Sequence, residues 1–241
     1  MTVEHYPEDS VLFSEIYKDY LSNKADKKPY FSFNVTVESH GPYDTDSYSG
    51  DKEYLTGEYS EHCKNAVNNY VSVIAKSDKE LMKLVEKLRR DPEPVILVTF
   101  GDHLPWMGNG GEFYEEMGVN MDINTDEGFR TYYSTRYLIW ANPAAKKLLD
   151  SDFAGEGIEI SPCYLMNMVF QKIGWEGPAY MQAMDDMMEI FPVITTNGRY
   201  VIDGNLTDSV PPERQEMFQN YLYLQEYWQS EFMFADNVQT K

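Results

Sequence analysis

The chain has 241 residues, with 40 acidic against 20 basic side chains and a formal net charge of −20. Such acidity argues against nucleic acid as a partner, because phosphate binding needs basic stripes, and against unaided docking on an anionic membrane. Hydrophobic residues are 42% and charged residues 25%, a globular composition with material for a core, and no apolar run is long enough to span a bilayer. Cys63 and Cys163 are too few for a disulfide framework or a thiolate zinc site, and both fall on apolar helix faces as buried thiols.

Residues 8–22 predict a helix, with Asp9 or Ser10 as its cap and Leu12, Phe13, Ile16, Tyr17, Tyr20 and Leu21 on one face. Residues 30–37 alternate, with Phe31, Phe33, Val35 and Val37 on one side, and predict a strand. That strand runs into His40, which Gly41-Pro42 holds at a turn. A polar loop over 44–56 leads to a long helical pattern from Gly57 to Arg90, with a kink or new cap expected at Ser77-Asp78. Strand, helix and the next strand form a βαβ unit with a right-handed crossover.

Val95-Ile96-Leu97-Val98-Thr99-Phe100 is a short apolar run between Pro94 and Gly101. It predicts a strand buried on both faces, as in a parallel sheet. Asp102 and His103 follow directly. Ligands bind beyond the carboxyl ends of strands in open α/β sheets, and a carboxylate beside an imidazole suits a divalent metal. Trp106, in the breaker-rich loop that follows, either walls a pocket or packs the loop down. Residues 112–128 are acidic and irregular. Tyr137–Ala141 is a further strand, stopped by Asn142-Pro143, and a short helix runs over 144–149. Ser161-Pro162 opens a helix that ends at Gly174. Residues 179–190 form a Met-rich helix. Asn197-Gly198 signals a two-residue hairpin within 193–202, and 211–234 is an aromatic-rich amphipathic helix. His5 and His62 carry no assigned role.

Phe100-Gly101-Asp102-His103 resembles the Gly-Asp-His motif of the sulfatase-like branch of the alkaline phosphatase superfamily, and in particular of the phosphoglycerol transferases that include the lipoteichoic acid synthases. Phe33 to Tyr43, the long helix with Tyr70 and Asp78, Tyr137 to Asn142 and Ile160 to Leu165 are collinear with the segments around that motif. The resemblance implies an α/β sandwich with a mainly parallel central sheet flanked by helices, incomplete on its N-terminal side, plus a small C-terminal β-hairpin. Residues 1–241 are then the carboxyl-terminal part of one catalytic domain.

The resemblance also implies roles. Asp102 and His103 are metal ligands for manganese, magnesium or zinc, bound only once the missing N-terminal part completes the site. His40 contacts the phosphate or glycerol of a phosphoglycerol-lipid or other phosphoester substrate. The family's threonine nucleophile and an acidic ligand lie upstream of anything seen here, and Thr2 is no substitute. The chain is therefore expected to be inactive alone, as part of an extracytoplasmic domain anchored to the membrane only through upstream segments. The rival readings are a sulfatase or phosphodiesterase of the same superfamily, and a non-catalytic module that kept the fold.

Overall fold

The computed structural model describes residues 6–238, with side chains described through residue 231. Thr2 and His5 fall outside that range. Contacts divide the chain into two units, Met1–Leu148 and Leu149–Lys241.

In the first unit, helix α1 spans Asp9–Ala25. Its N-cap is Glu8 rather than Asp9 or Ser10, and no local side chain caps it. A distant carboxylate does so instead: Asp9 N–H donates to Glu38 Oε2 at 2.8 Å, satisfying one orphan amide of the first turn. Helix α2 spans Glu61–Arg89 without a break. Ser60 caps it by accepting from Cys63 N–H at 3.2 Å. The expected interruption at Ser77-Asp78 does not form, because the Ser77 hydroxyl has another use. It donates to the carboxylate of Asp9, which is buried.

Strands β1 (Ile96–Phe100) and β2 (Tyr137–Ala141) pair antiparallel, with Ile96 opposite Ala141 and Phe100 opposite Tyr137. The mainly parallel sheet and the βαβ crossover read from the sequence do not form among the described residues. Apolar runs fix strand location, not direction. Here helices α3 (Glu112–Glu116) and α4 (Asp126–Tyr133) return the chain beside β1 in the opposite sense. Residues 30–37, expected as a strand, are neither helix nor strand and join no ladder. Phe31, Phe33 and Val35 stay exposed, and Phe33 only touches the Phe100 ring, with centroids 6.3 Å apart. Nor is β1 buried on both faces. Leu97 and Thr99, with Leu138 and Trp140 of β2, line a crevice shared with Leu81 and Val85 of α2, while Phe100 on the other face is exposed.

One side chain joins these elements. Asn142 follows β2 directly and is fully buried. Its Nδ2 donates to the carbonyls of Leu88, Asp91 and Glu93 at 3.1, 3.1 and 2.8 Å. Its Oδ1 accepts from Val95 N–H at 3.0 Å and from Ala145 N–H at 2.9 Å, the latter in the first turn of α5 (Pro143–Leu149). The end of α2, the entry to β1, the exit of β2 and the start of α5 therefore meet on one amide.

The same corner carries an ion pair, Lys24 Nζ to Asp91 Oδ1 at 2.6 Å, with the Asp91 side chain 6% exposed. Burial pushes the Asp91 carboxyl up, but the Lys24 ammonium and the Glu93 N–H outweigh it and hold it below the ordinary carboxylate value. A depressed folded-state pKa stabilises the fold fully above the unfolded value and is lost as pH falls through the folded one. Lys24→Met is therefore expected to lower the urea midpoint near pH 7 and to lose that difference progressively below about pH 4. Urea melts of both proteins across that range check it, and a pH-independent gap would contradict the pairing.

In the second unit, α6 (Leu165–Ile173) is entered through a 3-10 turn over 162–164 and closed by Gly174 in the left-handed region. Helix α7 (Ala179–Ile190) buries Met184, Met187 and Met188 against Tyr164, Phe191 and Ile202. Cys163, expected to be buried, is exposed. It sits on the 3-10 turn, outside the face that α6 buries. Strands β3 (Val193–Ile194), β4 (Tyr200–Ile202) and β5 (Asn205–Thr207) form an antiparallel sheet. Asn197-Gly198 lies within a wider loop over 195–199 rather than forming the whole turn, since Ile194 pairs with Tyr200. The tight turn is Asp203-Gly204, both with positive φ, 51° and 80°. Helix α8 runs Gln215–Val238. Among the described residues no helix is long and apolar enough to cross a membrane.

Candidate metal and phosphate site

Two turns of the first unit meet at the proposed chemistry. One follows β1. Gly101 keeps its place by donating its N–H to Arg136 O at 3.1 Å and accepting from the Thr135 hydroxyl at 2.6 Å. Asp102 and His103 leave that end exposed to solvent. Asp102 Oδ1 accepts from the His103 backbone N–H at 2.9 Å, which orients the carboxylate. His103 Nδ1 lies 2.8 Å from Leu104 O. A carbonyl can only accept, so Nδ1 carries a proton, and in the neutral ring the lone pair sits on Nε2. That Nε2 is 3.5 Å from Asp102 Oδ2. Two donors each about 2.1 Å from a shared tetrahedral cation stand about 3.4 Å apart. The pair thus fits one divalent ion. It does not complete its shell: among the described residues no cluster of three His, Cys, Asp or Glu side chains forms a cation site.

The other turn carries His40. Its Nδ1 lies 2.7 Å from Gly41 O, so this ring too is protonated at Nδ1 and presents a free Nε2. The two imidazoles face each other edge to face, centroids 6.1 Å apart. The Tyr6 ring stands against the far side of His40 at 5.4 Å. All three residues singled out from the sequence, His40, Asp102 and His103, are therefore brought together.

What holds the turns was not visible in the sequence. Glu38, two residues before His40, caps α1 and accepts from Lys76 Nζ at 2.9 Å, and Lys76 also reaches Glu8 at 2.8 Å. The His40 turn is thus tied to α1 and α2 at once. The Glu38–Lys76 pair spans 38 positions of chain and has no local pattern that could announce it. Beneath the turns lies an aromatic layer. The Tyr43 hydroxyl donates to Ser39 O at 2.6 Å, and the Tyr43 ring packs on Tyr70 and Trp106. Trp106 meets Phe113 edge to face. Of its two expected roles, packing the loop down is the one its contacts show. Tyr114 donates to Pro105 O at 2.8 Å, and burial, followed by Tyr70, pushes its phenol up to about 12. It stays a neutral donor at any working pH. Gly41 has no room for more: a Cβ there would sit 2.9 Å from Trp106 Cβ.

Electrostatically the centre is bare. Asp102 and His103 have side-chain exposures of 74% and 62%, so water screens them, and a cation held by two exposed donors is held weakly. The groove of about 700 Å³ bounded by Tyr17, Met82, Lys83 and Lys87 shares no lining residue with this site.

The Asp102–His103 turn at the end of β1 thus stands beside the histidine of a neighbouring turn. The family model described as Sulfatase matches residues 3–159, and the chain belongs to that family. A Rhizobium meliloti (strain 1021) protein named for cyclic beta-1,2-glucan modification is 24% identical over 225 residues, covering 88% of this chain and 32% of its own length. The chain spans about a third of that relative. Among solved structures, the Streptococcus pyogenes phosphoglycerol transferase GacH, in complex with sn-glycerol-1-phosphate, has a similar fold. Its TM-score is 0.57 at 19% identity, over 88% of this chain and 47% of that one.

Proposed function

We propose that this chain supplies the cation-binding and phosphate-recognising portion of a site that transfers or hydrolyses a phosphoester, with phosphoglycerol esters as the substrate class. The convergence of Asp102 Oδ2 and His103 Nε2 to 3.5 Å carries the reading. Asp102 and His103 hold one divalent cation. When bound, such an ion polarises a phosphoryl oxygen and offsets charge in the transition state. His40 presents Nε2 to a phosphate oxygen and, when protonated, neutralises part of its charge. The net charge of −20 gives an anionic ester little else to approach. Sulfatase-family membership and the GacH fold, seen with a glycerol phosphate, support the substrate class.

Two donors do not make a working centre. The nucleophile and the remaining ligands come from polypeptide outside this chain, which alone binds metal weakly and turns nothing over. The complete domain works outside the cytoplasm, held at the membrane by its other segments.

Paramagnetic broadening tests the site in the chain itself. Millimolar Mn²⁺ is expected to broaden the His103 ring resonances most and those of His40 next. Adding sn-glycerol 1-phosphate is expected to deepen the effect at His40. Asp102→Ala should remove both effects. Broadening that survives this substitution would place the cation elsewhere and end the proposal.

A further inference from the structure

The net charge of −20 hides a local reversal of sign. Six of the chain's 20 basic residues fall within residues 76–90, at the C-terminal end of α2. Lys79, Lys83 and Lys87 recur at four-residue steps and Arg90 follows three later, so the four share one face of the helix over about 16 Å. All four are exposed. They rim the groove of about 700 Å³ on the first unit, whose uncharged lining is Tyr17 of α1, Met82 and Pro92. Small-molecule pockets run from about 300 to 1,000 Å³.

The groove's own carboxylates do not cancel these charges. It has two, Glu86 and Asp91. Glu86 Oε1 accepts from Arg89 Nε at 3.0 Å, and the Arg89 guanidinium lies over the Trp140 ring, outside the groove. Asp91 is held by Lys24 at 2.6 Å. Lys83 meets Glu80 at 2.6 Å. Among the described residues no carboxylate pairs with Lys79, Lys87 or Arg90. Three uncompensated cations along one wall of a cleft raise the local concentration of anions there.

We propose that this groove binds a compact anion carrying two or more phosphate groups. Three of its four cations are lysines, point charges that follow the oxygens of a phosphate, whereas a planar carboxylate is matched best by a bidentate guanidinium. Their spacing along one helix face suits an anion whose charges lie in a row. The acidity of the remainder selects a small ligand over a large one. At physiological ionic strength a charge is felt over about 8 Å. An anion seated in the groove therefore feels the lysines, while a membrane or a nucleic acid must also approach the acidic surface around them. The lining has one aromatic ring, Tyr17, and the Lys87 ammonium already sits over it at 4.8 Å, so successive bases find no stacking platform. The groove shares no residue with the Asp102–His103 turn, and its occupation does not depend on the phosphoester chemistry assigned there.

Calorimetric titration of the 241-residue chain with inorganic tripolyphosphate, at low ionic strength and without divalent ions, tests the proposal. Saturable heat from one site is expected. Lys79→Gln combined with Lys87→Gln is expected to weaken binding at least about tenfold, or about 1.4 kcal/mol. Lys83→Gln with Arg90→Gln should do the same, and guards against one pair failing to fold. Lys147→Gln with Lys172→Gln removes the same charge at two exposed positions outside the groove, and should change the affinity less than about twofold. No saturable heat up to about 1 mM, a loss as large in this control pair, or citrate bound as tightly as tripolyphosphate would each overturn the proposal. So would retention on phosphatidylglycerol vesicles or on a thymidine oligonucleotide that the groove substitutions abolish. His40→Ala is expected to leave tripolyphosphate binding intact. Loss of binding there, with the groove pairs unaffected, would move the anion to the other site, so the two readings fail separately.

Discussion

Asp102→Ala in the protein isolated from its native cells is expected to lower metal-dependent phosphodiester turnover about a thousandfold. A bound cation contributes several kcal/mol of charge stabilisation in the transition state, and each 1.36 kcal/mol is a factor of ten in rate. In the proposed site Asp102 supplies the negative donor of the pair, so its loss would remove charge and half the chelate together, leaving His103 as a lone neutral donor. Asp102→Asn separates these contributions: it keeps the side-chain volume and an oxygen but loses the charge, and should fall between alanine and wild type. His103→Ala is expected to match Asp102→Ala, and the double variant to be little worse than either, because the two donors act as one unit. The assay is release of p-nitrophenol from bis(p-nitrophenyl) phosphate with and without Mn²⁺. The isolated 241-residue chain should stay at background. Turnover by that chain, lost on Asp102→Ala, would refute the view that the site is incomplete.

Asn142→Ala is expected to cost about 3–5 kcal/mol of stability in the first unit. A net hydrogen bond is worth about 1 kcal/mol, and burying an unpaired polar group costs about 1–3 kcal/mol. The amide is fully buried and meets the carbonyls of Leu88, Asp91 and Glu93 and the N–H groups of Val95 and Ala145. Alanine leaves all of these without their partner in a space too small to admit much water. Asn142→Asp keeps the acceptor side but turns a carboxylate oxygen toward three carbonyls, so at neutral pH it should be at least as damaging. Urea unfolding followed by Trp106 and Trp140 fluorescence measures both. A loss under 1 kcal/mol for alanine would mean that the corner is held by packing alone.

The elements that patterned themselves were readable: the 96–100 strand and the Gly-Asp-His turn after it, Tyr137–Ala141, the Met-rich α7 and the Gly174 stop. Each depends on residues next to one another in the chain. The prediction that His40 stands beside the Asp102–His103 turn came from the family resemblance, which did what spacing could not. The failures share a cause. Strand direction depends on how the intervening chain returns, and the short α3 and α4 over an acidic, irregular stretch gave little hint of it. Phe31 to Val37 alternates as a strand should, but pairing needs a neighbour that alternation cannot name. Asn142 looked like a strand stop because Asn-Pro is one; its hydrogen bonds reach back to residues 88–95. Glu38 capping α1 is a contact across 29 positions. The Asp203-Gly204 turn, by contrast, carries as plain a two-residue signal as Asn197-Gly198 does.

The contact at Gly41 has a mechanical meaning. Trp106 follows His103 by three residues, Gly41 follows His40 by one, and a Cβ at Gly41 would sit 2.9 Å from Trp106 Cβ. The two turns therefore bear on each other as gear teeth do. In the proposed site, a shift of the Asp102–His103 turn on taking up an ion would press on the His40 turn, and a shift of His40 onto an ester oxygen would press back. Occupancy of one half would then alter the affinity of the other by the same factor in both directions. The loops would behave as a single moving part whose position reports whether ion and ester are both present.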